Sequence, residues 1–383
     1  MNFWRELRSP SAGRRARACK GNKEERKAVG ARRFAGAAEP VAQVRTKMEA
    51  IHLKTPLILS RTLSDRVGVR TYLKLDNLQP TGSFKVRGMG VATQRAKIDQ
   101  DCTSLVSSSG GNAGLATAYC GQQLGMHTTV VLPETATDLA KRKIASLGAE
   151  VVVRGGHWAE SNAFAETLVE ESRSSGGSKA VLIHPFDMPD LWEGHSTLVD
   201  EVREQLPEGV TPSAIFASVG GGGLLMGILQ GVKRAGWRED VKVVPCETFG
   251  ANALALSLER NERAEIAITS LAKSLGADKI GSEILAECLD GGYDIEPIVV
   301  TDEEAVGACL KFALDHGMLV EPACGASMAP LYYHGDRVRK LCGGGGEGRC
   351  IVVEVCGGGA FNSIEMLQGY ASALGLDMNG NKA

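Results

Sequence analysis

Ala214-Ile215-Phe216-Ala217-Ser218-Val219-Gly220-Gly221-Gly222-Gly223-Leu224-Leu225 decides the fold. An apolar run of strand length meets four glycines and then a helical pattern. Glycines at a strand-to-helix turn let backbone N–H groups converge with no side chain in the way. The helix N-terminus behind them adds partial positive charge. A phosphate fits such a turn, although a flexible loop without a ligand looks much the same. The dinucleotide pattern G-x-G-x-x-G fails in both registers, with Leu225 or Met226 where the third glycine belongs. The P-loop pattern fails too, because Ile228 follows Gly222 and Gly227 in place of lysine. A single small phosphate remains.

Working outward, short β-branched runs alternate with longer amphipathic ones. Strands are expected over 71–75, 104–107, 128–132, 150–153, 180–183, 214–218, 242–246, 298–300 and 350–355. Helical patterns between them include 114–124, 137–147 and 158–173. Such alternation predicts βαβ units, parallel sheet and right-handed crossovers. Nine strands exceed one small sheet, so two α/β domains are expected. Residues 1–47 differ: they are rich in arginine and lysine and poor in apolar side chains, which predicts a disordered leader. An Arg-rich leader also suits a transit peptide, against which Glu6, Glu24, Glu25 and Glu39 count.

The chain has 383 residues, 43% hydrophobic and 23% charged, with a net charge of -2. Nothing global draws it to nucleic acid or an anionic membrane. No apolar run approaches the ~18–20 residues that cross a bilayer. The 10 cysteines are scattered without a C-x-x-C pair, as expected for buried small hydrophobes in a reducing compartment.

Three further clusters carry chemistry. Ser107-Ser108-Ser109-Gly110-Gly111-Asn112-Ala113-Gly114 again lies between strand and helix, and its N–H groups suit a carboxylate. Its plainer reading is a helix cap. In Pro80-Thr81-Gly82-Ser83-Phe84-Lys85-Val86-Arg87-Gly88, a cap at Ser83 or Thr81 would put Lys85 in the first turn. There the helix dipole and burial disfavour the ammonium, leaving the neutral amine that attack on an aldehyde needs. A lone lysine is by default a solvated surface residue. Val353-Glu354-Val355-Cys356-Gly357-Gly358-Gly359 ends the last strand, by default a buried cysteine before a turn. Together, however, an amine, an anion cradle, a carboxylate loop and a polar partner for a ring match one phosphorylated carbonyl cofactor.

These residues resemble the serine/threonine dehydratase family of fold-type II pyridoxal-phosphate (PLP) enzymes, from about residue 52 to about residue 374. The motifs are "HLKTPL", "PTGSFKVRG", "SSSGGNAGLATAY", "HPFDMPDLWEGH", "SVGGGGLL", "ETFGA", "LVEPACGA" and "VCGGG". The resemblance implies a tryptophan synthase β-like fold: two doubly wound α/β domains with the cofactor in the cleft between them. The larger domain would comprise 48–78 and 186–383, the smaller 79–185. Lys85 would bind pyridoxal 5'-phosphate covalently and act as the base, with Phe84 against the ring and Asn112 on its 3-hydroxyl. Gly220, Gly221, Gly222, Gly223 and Leu224 would hold the phosphate, and Cys356 would face the ring nitrogen. Ser109, Gly110, Gly111, Asn112 and Ala113 would bind the substrate carboxylate. A monovalent cation, K+, would lie on Glu247 and the carbonyls of Gly220, Ala251, Leu275 and Ala277. The implied reaction is α,β-elimination of L-serine to pyruvate and ammonia, and of L-threonine to 2-oxobutyrate. A cytoplasmic homodimer is the implied state, or a mitochondrial one if the leader is a transit peptide.

The chain departs from the family pattern in places. Gly110 replaces an alanine or serine, which widens the pocket and is expected to lower turnover. Ala253 removes a serine oxygen from the cation site, and "GGGAFN" lengthens the turn after Cys356. No regulatory domain is expected after the core. The alternatives are another fold-type II enzyme, a β-replacing synthase or racemase, and a PLP-fold binding protein without turnover. His184 and His195 are read as structural.

Overall fold

The computed structural model describes residues 49–174, 179–358 and 360–382, so the leader expected over 1–47 lies outside the described residues. Ten strands form two sheets. They are β1 (Leu57–Ser60), β2 (Thr71–Lys74), β3 (Ser104–Ser107), β4 (His127–Leu132), β5 (Glu150–Val153), β6 (Ala180–Leu182), β7 (Thr211–Ser218), β8 (Lys242–Thr248), β9 (Ile298–Val300) and β10 (Arg349–Glu354). One sheet has the order β1-β2-β10-β7-β8-β9, and the other β5-β4-β3-β6. Every pairing is parallel except β1 with β2, where Leu57 faces Lys74 and Ser60 faces Thr71.

Strand β1 is the one that periodicity misses. Its four residues run straight into the helix Arg61–Val67, for which Ser60 is the N-cap, so no turn signal separates the two. At the other extreme, β7 and β10 lie inside the larger sheet with Ile215, Phe216, Ile351 and Val353 fully buried. A parallel strand covered on both faces reads as continuous apolar sequence, which is why these strands were legible. Burying one such side chain contributes about 1.5–3 kcal/mol.

Three helices set the geometry of the cleft: Lys85–Ile98, Pro189–Gln205 and Gly223–Arg234. The Pro189 helix lies between the other two at backbone contact distance. A methyl group on Gly194 would fall 2.3 Å from the Arg87 carbonyl oxygen, and one on Gly227 would fall 2.4 Å from His195 Cβ. Glycine at these two points lets the Pro189 helix pack closely against both the helix that begins at Lys85 and the helix that begins at the glycine turn. All nine cysteines of the described residues are free and buried. No helix among the described residues is long and apolar enough to cross a membrane.

Candidate functional site

Lys85 opens its helix directly after Phe84, which is the N-cap. Neither Ser83 nor Thr81 caps it, contrary to expectation, and both hydroxyls are buried without a partner. Backbone contacts fix this segment instead. The Phe84 N–H donates to the Cys356 carbonyl at 3.0 Å, and Ser83 bridges to Gly357. Lys85 is thereby held against the exit of β10. Its half-buried amine donates to the Pro185 carbonyl at 2.6 Å. Burial lowers its pKa to about 8, partly offset by Cys356 and Glu321.

From Lys85 a series of contacts runs round the site. After Pro185, the Phe186 ring lies against Gly221, where a Cβ would come within 2.4 Å of the ring. Gly222 holds φ at +93°, with Ile284 filling the place of a side chain. The turn is therefore packed from outside, and only its backbone can face a ligand. The first N–H groups of the Gly223 helix have no intrahelical acceptor, as an anion cradle requires. Gly220 abuts Leu275 and the Ser274 carbonyl. The Ser274 hydroxyl donates to Glu321 Oε2 at 2.7 Å, and Asn112 Nδ2 donates to Glu321 Oε1 at 2.8 Å. Asn112 starts the helix Asn112–Leu124, with Gly111 as its N-cap and the Gly111 N–H on Ser109 Oγ at 3.3 Å. A Cβ on Gly110 would make ordinary contacts with Leu132 and Ala136, at 3.4 and 3.5 Å.

Cys356 follows β10 and is buried beside the start of the Lys85 helix. The Cys324 thiol beside it, together with burial, raises its pKa far above the usual range and keeps it neutral. The longer turn behind it reaches the smaller sheet, because Ala360 and Phe361 pack against the cluster of Leu115, Val130 and Ile144. Phe84 meets the ring of His195 edge-on at 4.9 Å. His195 is buried, and burial together with Lys85, Arg87 and His52 keeps it neutral. His184 Nδ1 accepts the N–H groups of Phe186 and Asp187, fixing the bend before the Pro189 helix.

Glu321 was not singled out from the sequence, although it stands in the quoted "LVEPACGA". A signal was present: an acidic residue directly before Pro322, which begins the helix Pro322–Tyr333. The surrounding protein raises its pKa to about 7 by removing water, against the pull of Ser274, Asn112 and Lys85.

Glu247, at the end of β8, accepts the Leu254 and Ala255 N–H groups at 2.9 and 2.8 Å, and so caps the helix Ala253–Arg260. Burial raises its pKa to about 7. The Leu275 carbonyl accepts the Ala277 N–H at 2.7 Å, and the Ala251 N–H donates to Thr248. Among the described residues, no group of three or more histidine, cysteine or acidic side chains is placed to hold a metal ion.

Comparison with known proteins gives consistent matches. Residues 48–357 match the family model described as pyridoxal-phosphate dependent enzyme. The chain is 41% identical over 336 residues to the L-serine dehydratase/L-threonine deaminase of Mus musculus, covering 86% of this chain and 98% of that protein. It is 40% identical over 294 residues to the L-serine dehydratase of Dictyostelium discoideum, covering 74% and 82%. Among solved structures, a fungal L-serine ammonia-lyase from Rhizomucor miehei superposes with a TM-score of 0.76 at 30% identity, over 85% of this chain and 99% of that one.

Proposed function

The chain belongs to the family of pyridoxal-phosphate dependent enzymes, and from that premise we propose that it is an L-serine dehydratase that also accepts L-threonine. The observation that carries the proposal is the run of contacts from the softened amine of Lys85 through Pro185 and the glycine turn to Ser274, Glu321 and Asn112. The residues present fit the cofactor. The glycine turn admits no side chain of its own, and the buried oxygens of Thr81, Ser83, Ser107, Asn112 and Ser218 lack protein partners in the segments that flank Lys85 and the two glycine loops.

When bound, pyridoxal phosphate supplies an aldehyde for amines and an electron-withdrawing ring that stabilises negative charge at the substrate α-carbon. Lys85 would hold it, and the same amine, neutral in an appreciable fraction near neutral pH, is placed to take and return the α-proton. Gly220 to Leu224 would hold the phosphate through backbone N–H groups. Ser109 to Ala113 would orient the amino acid by its carboxylate. Cys356, kept neutral, offers no counter-charge to the ring nitrogen. Loss of the β-hydroxyl as water and hydrolysis of the product give pyruvate and ammonia from serine, and 2-oxobutyrate from threonine.

The same proposal extends to a cytoplasmic homodimer that acts on a small amino acid, with no nucleic-acid or membrane partner. A K+ ion near Glu247 and the carbonyls of Gly220, Ala251, Leu275 and Ala277 belongs to it too. The adjacency of Gly220 and Leu275 supports that assignment.

One tube tests the central claim: purified protein loaded with PLP and freed of unbound cofactor, its absorbance recorded before and after L-serine, and pyruvate assayed. A visible band and pyruvate are expected from the parent protein, and neither from Lys85→Ala. A band without pyruvate would move the activity to another amino acid. No band at all would overturn the proposal.

A further inference from the structure

Glu321 makes two hydrogen bonds that together decide the orientation of a third group. Its Oε2 accepts from Ser274 and its Oε1 from Asn112 Nδ2, at 2.7 and 2.8 Å. The turn beyond Cys356 makes room for it. Gly358 holds φ at +90°, and a Cβ there would fall 2.0 Å from Glu321 Cδ. An ionised carboxylate only accepts, so it takes the donor end of the Asn112 amide. The acceptor end, Oδ1, is buried and has no protein partner. It is therefore available to whatever group enters the cleft. A proton on Glu321 would reverse the preference, since its O–H would donate to Oδ1 and turn Nδ2 toward the cleft.

On the assignment of this cleft to PLP, we propose that Glu321 is a positioning residue that decides which end of the Asn112 amide meets the 3-oxygen of the cofactor ring. With Glu321 ionised, Oδ1 accepts from the ring hydroxyl and keeps its proton in place. With Glu321 neutral, Nδ2 donates to the ring oxygen and favours its ionised form. One O–H bond is lost and one gained in this exchange, so the pair keeps a single proton and its net charge. Four other polar groups face Glu321. They are the Lys85 amine at the head of its helix, the Cys309 thiol on the helix Asp302–His316, the Cys356 thiol beyond β10, and the Ser274 hydroxyl. Burial pushes the Cys309 thiol well up, and the Cys324 thiol together with burial does the same to Cys356, which leaves Lys85 and Glu321 as the pair that titrates near neutrality.

The test is the absorbance of the holoenzyme against pH, because the protonated and ionised forms of the ring hydroxyl absorb at different wavelengths. Glu321→Gln keeps the shape and removes the charge. Its amide N–H can donate to Asn112 Oδ1 as a protonated carboxyl would, so it is expected to lower the midpoint of the spectral change by about one pH unit, the scale of reversing one hydrogen bond to the ring oxygen. The shift should vanish when the same substitution is made in an Asn112→Ala background, as a double-mutant cycle requires of an effect carried by that amide. An unchanged midpoint overturns the proposal. So does an equal shift in both backgrounds, which would mean that the charge acts directly on the ring. Ser274→Ala gives a milder second test: it withdraws one donor from the carboxylate and is expected to move the midpoint in the same direction by less. Failure of the cofactor assignment itself looks different, since the parent protein would then develop no band with PLP.

Discussion

Lys85 and Arg87 lie two residues apart on one helix, yet their surroundings are opposite. Arg87 is fully buried and saturated. Nε and Nη2 donate to Asp76 at 2.7 and 2.8 Å, Nη1 and Nη2 to Glu201 at 2.6 and 2.8 Å, the remaining Nη1 hydrogen goes to Thr197, and Thr55 shares an Nη2 hydrogen at 3.2 Å. Lys74 joins the cluster through Glu201 at 2.6 Å. Lys85 has one carbonyl for a partner, and the segments around it hold hydroxyl and amide oxygens with no partner at all. A buried polar group left unmatched costs about 1–3 kcal/mol, so leaving several in one place is intelligible where a ligand completes them. The saturated cluster holds the helix; the unsaturated cleft beside it is left for chemistry. Glu354 sits between the two regions with both carboxylate oxygens unpartnered, and burial keeps it protonated.

The largest expected effect separates these neighbours by stability. Arg87→Ala strands Asp76 as a buried charge without its counter-ion and leaves Glu201 with Lys74 alone of its two basic partners at hydrogen-bond distance, and should cost about 3–5 kcal/mol in urea unfolding. Lys85→Ala should abolish pyruvate formation while shifting stability by less than about 1 kcal/mol. If the two substitutions destabilised alike, the contrast would collapse. The next effect is one of pH. Lys85 must be neutral to attack an aldehyde, and its pKa is lowered to about 8. Capture of PLP by the apo-protein, followed by its absorbance, should therefore accelerate as pH rises through about 8 and level off above it. The saturated cluster gives the opposite window. Glu201 is held far below the usual carboxylate range by Arg87, His52 and Lys74, against the penalty of its burial. Its contribution to stability is present above the unfolded carboxylate range and is lost only as pH falls toward the depressed value.

What the sequence disclosed follows the same division. The central parallel strands, the glycine turn and Lys85 were legible because apolar runs and glycine clusters are local signals. Strand β1 was not, since four residues leading directly into a helix carry no period. The Lys85 helix was placed correctly while its cap was not, because the anchoring contact runs from Phe84 to Cys356, far away in the chain. Glu321 was quoted without a role for a similar reason. Its partners Asn112, Ser274 and Gly358 meet it only after folding, and no spacing in the sequence reports them.

The smallest predicted effect lies on the cleft's rim, at Gly110. A methyl group there meets Leu132 and Ala136 at ordinary contact distance, with no backbone atom in its way. Its φ lies outside the left-handed region, so alanine can occupy the position without strain. Gly110→Ala should therefore fold with the parent's melting temperature to within a few degrees, because a methyl group at ordinary van der Waals contact displaces nothing. It should also narrow the carboxylate loop. One methyl group in a pocket is worth about 1–3 kcal/mol of discrimination, so the ratio of kcat/KM for threonine to that for serine should fall at least several-fold. Steady-state assays on both amino acids read that ratio directly. An unchanged ratio would mean that the wide rim at Gly110 does not touch the substrate side chain, and that the serine–threonine choice is made elsewhere on the perimeter.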